Sequence, residues 1–174
     1  MRVVLGIDPG LTGALAWVAV SDPESPPVLL DAVDMPTVQM KSGRSLKNFI
    51  NLPALADAMR HPAIPFPVAC YIEEVGASPG SGVTSMFRFG YAAGAAAATA
   101  ATLGIPLYFV RPVGWQRQFT IKGKEKDKSR MVASQMFPAR ADLFKRKKDN
   151  GRSDAALIAV HGIRNFGAMW ALHK

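Results

Sequence analysis

The sequence lacks several features that mark other classes of protein. Its single cysteine, Cys70, excludes an internal disulfide and a cysteine-rich zinc site, and we expect it to be a small buried side chain. We expect no secretory signal in the first residues, because Asp8 and Pro9 interrupt the apolar run. The uncharged stretch at residues 89–110 is mostly Ala, Gly and Thr, which give little transfer energy for a membrane span. We therefore expect a soluble, cytoplasmic protein.

The composition predicts one α/β domain over residues 1–174. Apolar residues make up 49% of the chain and charged residues 20%, which is enough to bury a core at this length. The predicted strands cover residues 2–7, 14–20, 28–33, 68–75 and 105–110. The predicted helices cover residues 52–59, 84–103, 126–137 and 153–164, the last with Ser153 as its N-cap, and residues 35–51, 111–123 and 139–151 are predicted loops. This order indicates a mixed central β-sheet flanked by helices.

Positive charge is concentrated in one part of the chain. The net charge is +8, yet residues 111–152 contain thirteen basic and four acidic residues, so this stretch alone carries +9. A solvated face would mix the two signs, whereas an excess of one sign favours a polyanion such as nucleic acid. The predicted DNA-contacting residues are Arg117, Lys122, Lys124, Lys126, Lys128, Arg130, Lys147 and Lys148.

Acidic residues occur at unusual places in the predicted elements. Asp8 ends the first strand, Glu73 and Glu74 lie in a central strand, and Asp154 begins an apolar helix. Each has a structural explanation of its own, as a turn residue or a helix N-terminal acid. Together they supply oxygen ligands on rigid elements, which is what a hard divalent cation takes. Two such ions roughly 4 Å apart can drive phosphodiester hydrolysis, so the acids beside a basic surface predict a nuclease.

Five segments, in order along the chain, resemble RuvC-type Holliday junction resolvases of the RNase H-like superfamily. They are GIDPG at residues 6–10 followed by Thr12 and Gly13, IEEV at 72–75, FGYAAG at 89–94, Lys128 with Ser129, and DAALIA at 154–159. The resemblance implies an RNase H-like fold and a homodimeric endonuclease that nicks two opposed strands of a four-way DNA junction. It also implies two Mg²⁺ ions per site, with Mn²⁺ able to substitute.

The resemblance also assigns roles to single residues. It implies that Asp8, Glu73 and Asp154 are catalytic metal ligands and that Lys128 contacts DNA. The helix over residues 84–103 would form the dimer interface, where the small residues Ala93, Ala96, Ala97, Ala100 and Ala101 would let two backbones approach closely. Packing of the same helix on the sheet of its own subunit is the alternative.

One departure from the resolvase pattern concerns the metal site. Gly151 stands one helical turn before the last acid, where the family has a further Asp or His. Asp149 or Glu74 is the candidate replacement. We expect His161, two turns after Asp154, to support the site or the fold without binding metal.

Two other departures concern DNA. Gly76 stands where cellular members carry an aromatic wedge, a role open to Phe87 or Phe89, with core packing as the alternative for both. Trp115, with Gln116 beside it, stands near the position of a further basic residue. These changes resemble the divergent phage or prophage branch, which implies a nucleoid-associated enzyme of a bacterium or phage-infected cell.

Three other functions share parts of this sequence pattern. Actin-like and sugar-kinase proteins share the pattern Asp-x-Gly-x-Thr-Gly seen at residues 8–13, but they need two domains around a nucleotide and this chain is too short. A non-catalytic junction-binding protein would not need three acids in register. An RNase H-like nuclease of broader specificity, acting on flaps, branched DNA or RNA–DNA hybrids, needs the same acids and remains the alternative.

Overall fold

The structure, a computed structural model, describes residues 1–22, 25–76, 80, 82–121 and 126–165. In chain order its strands are β1 (Arg2–Asp8), β2 (Ala14–Val20), β3 (Val28–Asp34), β4 (Thr37–Ser42), β5 (Ser45–Ile50), β6 (Ala69–Glu73) and β7 (Leu107–Val110). Its α-helices are α1 (Leu52–Met59), α2 (Val83–Thr102), α3 (Pro112–Gln118), α4 (Lys126–Met136) and α5 (Asn150–Asn165), and 3₁₀-helices cover Pro138–Phe144 and Lys147–Asp149. No helix in this described part is long and apolar enough to cross a bilayer.

Five strands form a mixed sheet in the order β3-β2-β1-β6-β7. The pairs β1–β2 and β2–β3 are antiparallel, whereas β1–β6 and β6–β7 are parallel. The carboxyl ends of β1, β3 and β6 therefore meet at one edge of the sheet. The register aligns Asp8 with Ala14 and Ala14 with Asp34, and Glu73 ends β6 at the same edge. The predicted mixed sheet is confirmed, and three acidic residues lie at this edge.

The first face of the sheet is covered by α1 and α2. Side chains alternate across a strand, so Ile7 of β1 points into a core cluster with Leu55 of α1 and Ala96 of α2. Asn51 begins α1 by accepting a hydrogen bond from the backbone N–H of Ala54 at 3.2 Å, which satisfies one of the helix's unpaired donors. Cys70 is fully buried in this cluster, as predicted.

The opposite face is covered by α5, which lies very close to the strands. A Cβ atom at Gly6 would lie 2.0 Å from the carbonyl oxygen of Ala155, and one at Gly162 would lie 2.3 Å from the ring of Tyr71. Interiors are packed too densely to absorb such an overlap, so glycine is required at both crossings. These contacts fix the position of α5 over β1 and β6.

The prediction of a loop over residues 35–51 is wrong. This segment forms the hairpin β4–β5, which pairs Thr37 with Ile50 and Ser42 with Ser45. Gly43 opens its two-residue turn with a φ of +64°, which glycine adopts without strain. The strands escape prediction because nearly all their side chains are at least partly exposed, so no buried face imposes an alternation of apolar and polar residues.

The other two predicted loops are also wrong in part. Residues 111–123 contain α3, which begins at Pro112 and buries Trp115. Within residues 139–151, 3₁₀-helices lead into α5, which begins at Asn150, so Ser153 is not its N-cap. The Ser153 hydroxyl instead donates to the carbonyl oxygen of Asn150 at 2.8 Å. A serine can make such a bond inside a helix as readily as it can cap one, and the local sequence does not separate the two.

Candidate active site

Two carboxylates lie side by side at the carboxyl edge of the sheet. Asp8 and Glu73 end the neighbouring parallel strands β1 and β6, which are in register up to Ile7 and Ile72. Both side chains face α5, because each follows by two residues a position that contacts α5. Burial and the negative charge of Asp8 together raise the pKa of Glu73 to about 7. The two acids are therefore electrostatically coupled, which is common at catalytic sites.

A tryptophan holds one of these carboxylates. Trp115 of α3 is 1% exposed, and its indole Nε1–H donates to Oε1 of Glu73 at 2.8 Å. This bond lowers the pKa of Glu73 against the larger effects of burial and of Asp8. Trp115 was not among the predicted site residues. The only sign of its importance in the sequence was that Trp115 stands near a position where the resolvase pattern has a basic residue.

Asp154 lies in the first turns of α5, at the end of the helix nearest to Asp8. Gly151, three residues earlier, packs against the loop between β1 and β2, and Ala155 packs against Gly6 of β1. Asp154 therefore lies between two residues of α5 that contact the strand before Asp8 and the loop after it. Its Oδ1 is buried. The structure therefore brings the third predicted acid to the same edge of the sheet.

The three acids do not form a closed metal cage in this structure. Among the described residues, no three His, Cys, Asp or Glu side chains are grouped closely enough to hold a metal ion. The donor set nevertheless suits Mg²⁺, because it consists of carboxylate oxygens. A bound cation would offset both the burial and the negative charge of Asp8 that raise the pKa of Glu73. The assignment of Asp8, Glu73 and Asp154 as ligands stays a prediction.

The structure gives a steric reason for the missing acid at position 151. A Cβ atom at Gly151 would lie 2.7 Å from the carbonyl oxygen of Thr12 and 2.9 Å from the Cα of Gly13. An Asp or His could enter only if the loop between β1 and β2 moved. The backbone of this loop therefore occupies the space that a side chain at position 151 would need.

The two candidate replacements are both engaged elsewhere. Asp149 is 1% exposed, and its carboxylate accepts from the backbone N–H of Arg146 at 2.8 Å and from the Arg146 Nη2 at 2.7 Å. Although burial opposes it, this bonding lowers the pKa of Asp149. Glu74 is half-exposed and lies 3.4 Å from the Arg111 Nε. Neither contact points to a role in metal binding.

His161 joins two helices. Its Nδ1 is hydrogen bonded to Oε1 of Gln118 at the end of α3, and Asn165 donates to the same oxygen at 2.9 Å. Burial lowers the pKa of His161. This network ties α5 to the end of α3, the helix that carries Trp115. The supporting role of His161 stays a prediction.

The predicted DNA-contacting residues differ in their exposure. Arg117, Lys147 and Lys148 are exposed, and the two lysines lie in the 3₁₀-helix that leads directly into α5. Lys128 is half-buried. Lys122 and Lys124 lie outside the described residues, as does the side chain of Lys126. The exposed members therefore include two cations close to the N-terminal end of α5, which also carries Asp154.

Arg130 makes contacts within the chain. Its Nη2 is hydrogen bonded to Asp127, one turn earlier in α4, and its Nη1 donates to the carbonyl oxygen of Lys145 at 3.3 Å. Its side chain is 18% exposed. These contacts fasten α4 to the segment before α5, which is a structural role compatible with only partial access to DNA.

Helix α2 presents aromatic residues to solvent and alanines to the core. Ala93, Ala96 and Ala100 are buried within their own subunit, which is the alternative given for these three residues. Ala97 is half-buried and Ala101 is exposed, so these two stay available to a second helix. Phe87 is 76% exposed. The ring of Phe89 lies 3.7 Å from where a Cβ at Gly10 would stand, next to the loop that follows Asp8.

The described fold is similar to that of solved Holliday junction resolvases. RuvC of Thermus thermophilus, solved in complex with a Holliday junction substrate, aligns with a TM-score of 0.68 over 98% of this chain and 95% of that one, at 22% identity. The chain has the RuvC fold. A second structure of T. thermophilus RuvC aligns with a TM-score of 0.60 over 98% of this chain and 96% of that one, at 21% identity.

A yeast protein shares the fold. The mitochondrial Holliday junction resolvase Ydc2 aligns with a TM-score of 0.56 over 99% of this chain and 81% of that one, at 17% identity. No protein-family model and no curated protein sequence matches the chain. The likeness is therefore carried by the fold, and the predicted RNase H-like architecture is confirmed. Placement in the phage or prophage branch stays a prediction.

Proposed function

We propose that this chain is a structure-selective endonuclease that resolves four-way DNA junctions. The observation that carries the proposal is the coupled pair Asp8 and Glu73 at the carboxyl edge of a RuvC-fold sheet, with Asp154 on the helix that crosses it. The substrate class is supported by the complex of RuvC with a Holliday junction, whose fold extends over 98% of this chain. The exposed cations Lys147 and Lys148 beside α5 would contact phosphate groups.

The proposed cofactor is Mg²⁺, two ions per site, with Mn²⁺ as a substitute. Asp8, Glu73 and Asp154 would hold it, since their oxygens are the ligands that this ion takes. When bound, the metal would supply a more acidic water and stabilisation of the leaving oxygen during phosphodiester hydrolysis.

The protein's own residues have two tasks in this reaction. Trp115 fixes the orientation of the Glu73 carboxylate through the 2.8 Å bond to Oε1, so the ligand does not have to be ordered when the substrate binds. The exposed cations Lys147 and Lys148, in the 3₁₀-helix directly before α5, would hold the phosphate backbone beside the acids. The acids alone would repel that backbone, so the two groups must act together.

The proposed assembly is a homodimer formed through α2. Val83, Phe87 and Tyr91 are 86%, 76% and 48% exposed and recur every four residues, which places them on one side of the helix. Exposed Gly90 and Gly94 lie on the same part of α2 and would allow a second helix to approach. A symmetric dimer would give each junction two active sites, which paired nicking requires.

The proposal is tested by incubating the protein and Mg²⁺ with an end-labelled four-way junction, the matched duplex, a flap and an RNA–DNA hybrid. Asp154→Asn, which removes one charge and keeps the size, is the control. We expect symmetric nicks in the junction, none in the duplex, and no cleavage by the variant. Because the substitution removes negative charge near phosphate, the variant should bind the junction at least as tightly.

The other outcomes distinguish the alternatives. Equal cleavage of the flap or the hybrid would favour the RNase H-like nuclease of broader specificity. Full activity in Asp154→Asn would contradict the assignment of this acid. Tight junction binding without cleavage by the unmodified protein would mean that the acids are structural.

A further inference from the structure

The hairpin β4–β5 carries positive charge that lies outside the basic stretch of residues 111–152. Residues 35–51 contain Lys41, Arg44 and Lys47 and no acidic residue. Lys41 and Arg44 are exposed and Lys47 is half-buried, and among the described residues none of the three forms an ion pair. The hairpin therefore presents three uncompensated cations.

The hairpin extends away from the body of the protein. Of its twelve strand residues only Ile50, at the base, is buried, while Met40 and Leu46 are 52% and 66% exposed. A two-stranded ribbon without a packed face is marginally stable in water, so this hairpin contributes little to the stability of the fold. Its base is held by the Arg88 guanidinium, 5.8 Å from the centre of the Phe49 ring.

The base of the hairpin is attached to the catalytic edge. Met35, directly before it, donates its backbone N–H to the carbonyl oxygen of Gly13 at 2.9 Å, and Gly13 belongs to the loop that follows Asp8. Asp34, the last residue of β3, is in register with Asp8 through β2. The cations therefore project from the same edge of the sheet at which the acids lie.

We propose that the hairpin β4–β5 is a DNA-binding element, whose cations contact the phosphate backbone of an arm next to the cleaved strand. This inference rests on the proposed function. The charge favours DNA over a second copy of the chain, because two hairpins with three cations and no acid would repel each other. A two-stranded antiparallel ribbon also has the width of the DNA major groove.

The test is the salt dependence of junction binding, measured by fluorescence anisotropy in EDTA so that no cleavage occurs. The variant Lys41→Gln, Arg44→Gln, Lys47→Gln keeps the length and exposure of the hairpin. Each lost phosphate contact lowers the slope of log Kd against log salt by about 0.9, so we expect a decrease of about 2 to 3 and at least ~10-fold weaker binding. The single variant Arg44→Gln is compared with Arg60→Gln as a matched control, because Arg60 is also an exposed arginine and lies at the end of α1. Arg60→Gln should leave the slope unchanged.

Each outcome decides the proposal. An unchanged slope in a folded triple variant, or an equal effect of Arg44→Gln and Arg60→Gln, would overturn it. A change in oligomeric state with an unchanged slope would assign the hairpin to the subunit interface instead. Junction binding by the unmodified protein without cleavage would defeat the proposed nuclease function and leave the hairpin inference standing, whereas no junction binding would defeat both.

Discussion

The bond between Trp115 and Glu73 makes the sharpest prediction. Trp115→Phe keeps an aromatic ring in the buried site but removes the N–H that donates to Oε1 of Glu73 at 2.8 Å. A hydrogen bond to a charged group contributes about 1.5–3 kcal/mol, which corresponds to roughly ten- to hundredfold in an equilibrium or a rate. We therefore expect a fall of that size in the single-turnover cleavage rate at low Mg²⁺, and a higher Mg²⁺ concentration at half-maximal rate.

Trp17→Phe provides a matched control. Trp17 is also fully buried, but it lies in the core cluster on the other face of the sheet, and within the described residues its indole Nε1 makes no hydrogen bond. Both substitutions remove similar volume from a buried site and should cost about 1–3 kcal/mol of stability. Only Trp115→Phe should change the Mg²⁺ requirement, and neither should change junction affinity in EDTA. If both folded variants show the same Mg²⁺ requirement, Trp115 does not position Glu73.

Three further predictions address the acids, the glycine and the dimer. In EDTA, Glu73→Gln should stabilise the protein at pH 8 by up to about 3 kcal/mol, because a carboxyl whose pKa is raised from 4.5 to about 7 destabilises the fold once it ionises. This gain should shrink as the pH falls through 7 and vanish below 4.5, so a pH-independent difference in denaturant unfolding would contradict the cause given for the shift. Gly151→Asp should lower stability by about 1–3 kcal/mol or more without improving metal binding, because its Cβ would overlap the carbonyl oxygen of Thr12. An unchanged Tm would show that the loop between β1 and β2 moves to make room. Phe87→Glu should give monomers in sedimentation that bind the junction but do not nick it in pairs, and a variant that remains dimeric would exclude the exposed side of α2 as the interface.

Local patterns in the sequence were enough to predict the central fold. The strands β1, β2 and β6 are buried runs of five to seven mostly apolar residues, and short runs of this kind bounded by turn residues favour strands over helices. Acidic residues that interrupt or end these runs also stand out in the sequence, because a carboxylate among apolar residues has a large desolvation cost. Asp8 and Glu73 could therefore be found from the sequence, and the sheet order explains why they meet.

The remaining features depend on contacts between distant residues. Nothing local to Gly151 reveals that the backbone of Thr12 occupies the space where a side chain would project, and nothing local to Trp115 reveals that its N–H reaches Glu73, 42 residues away. The alternation of β4–β5 has no buried face to mark it, and only pairing shows that the segment is a hairpin. The sequence by itself determined which residues prefer strands, helices or exposure, because those preferences are set by each residue and its near neighbours. The tertiary structure alone decided which backbones approach closely enough to exclude a side chain and which polar groups meet, because both depend on how α3, α5 and the hairpin pack at the carboxyl edge of the sheet.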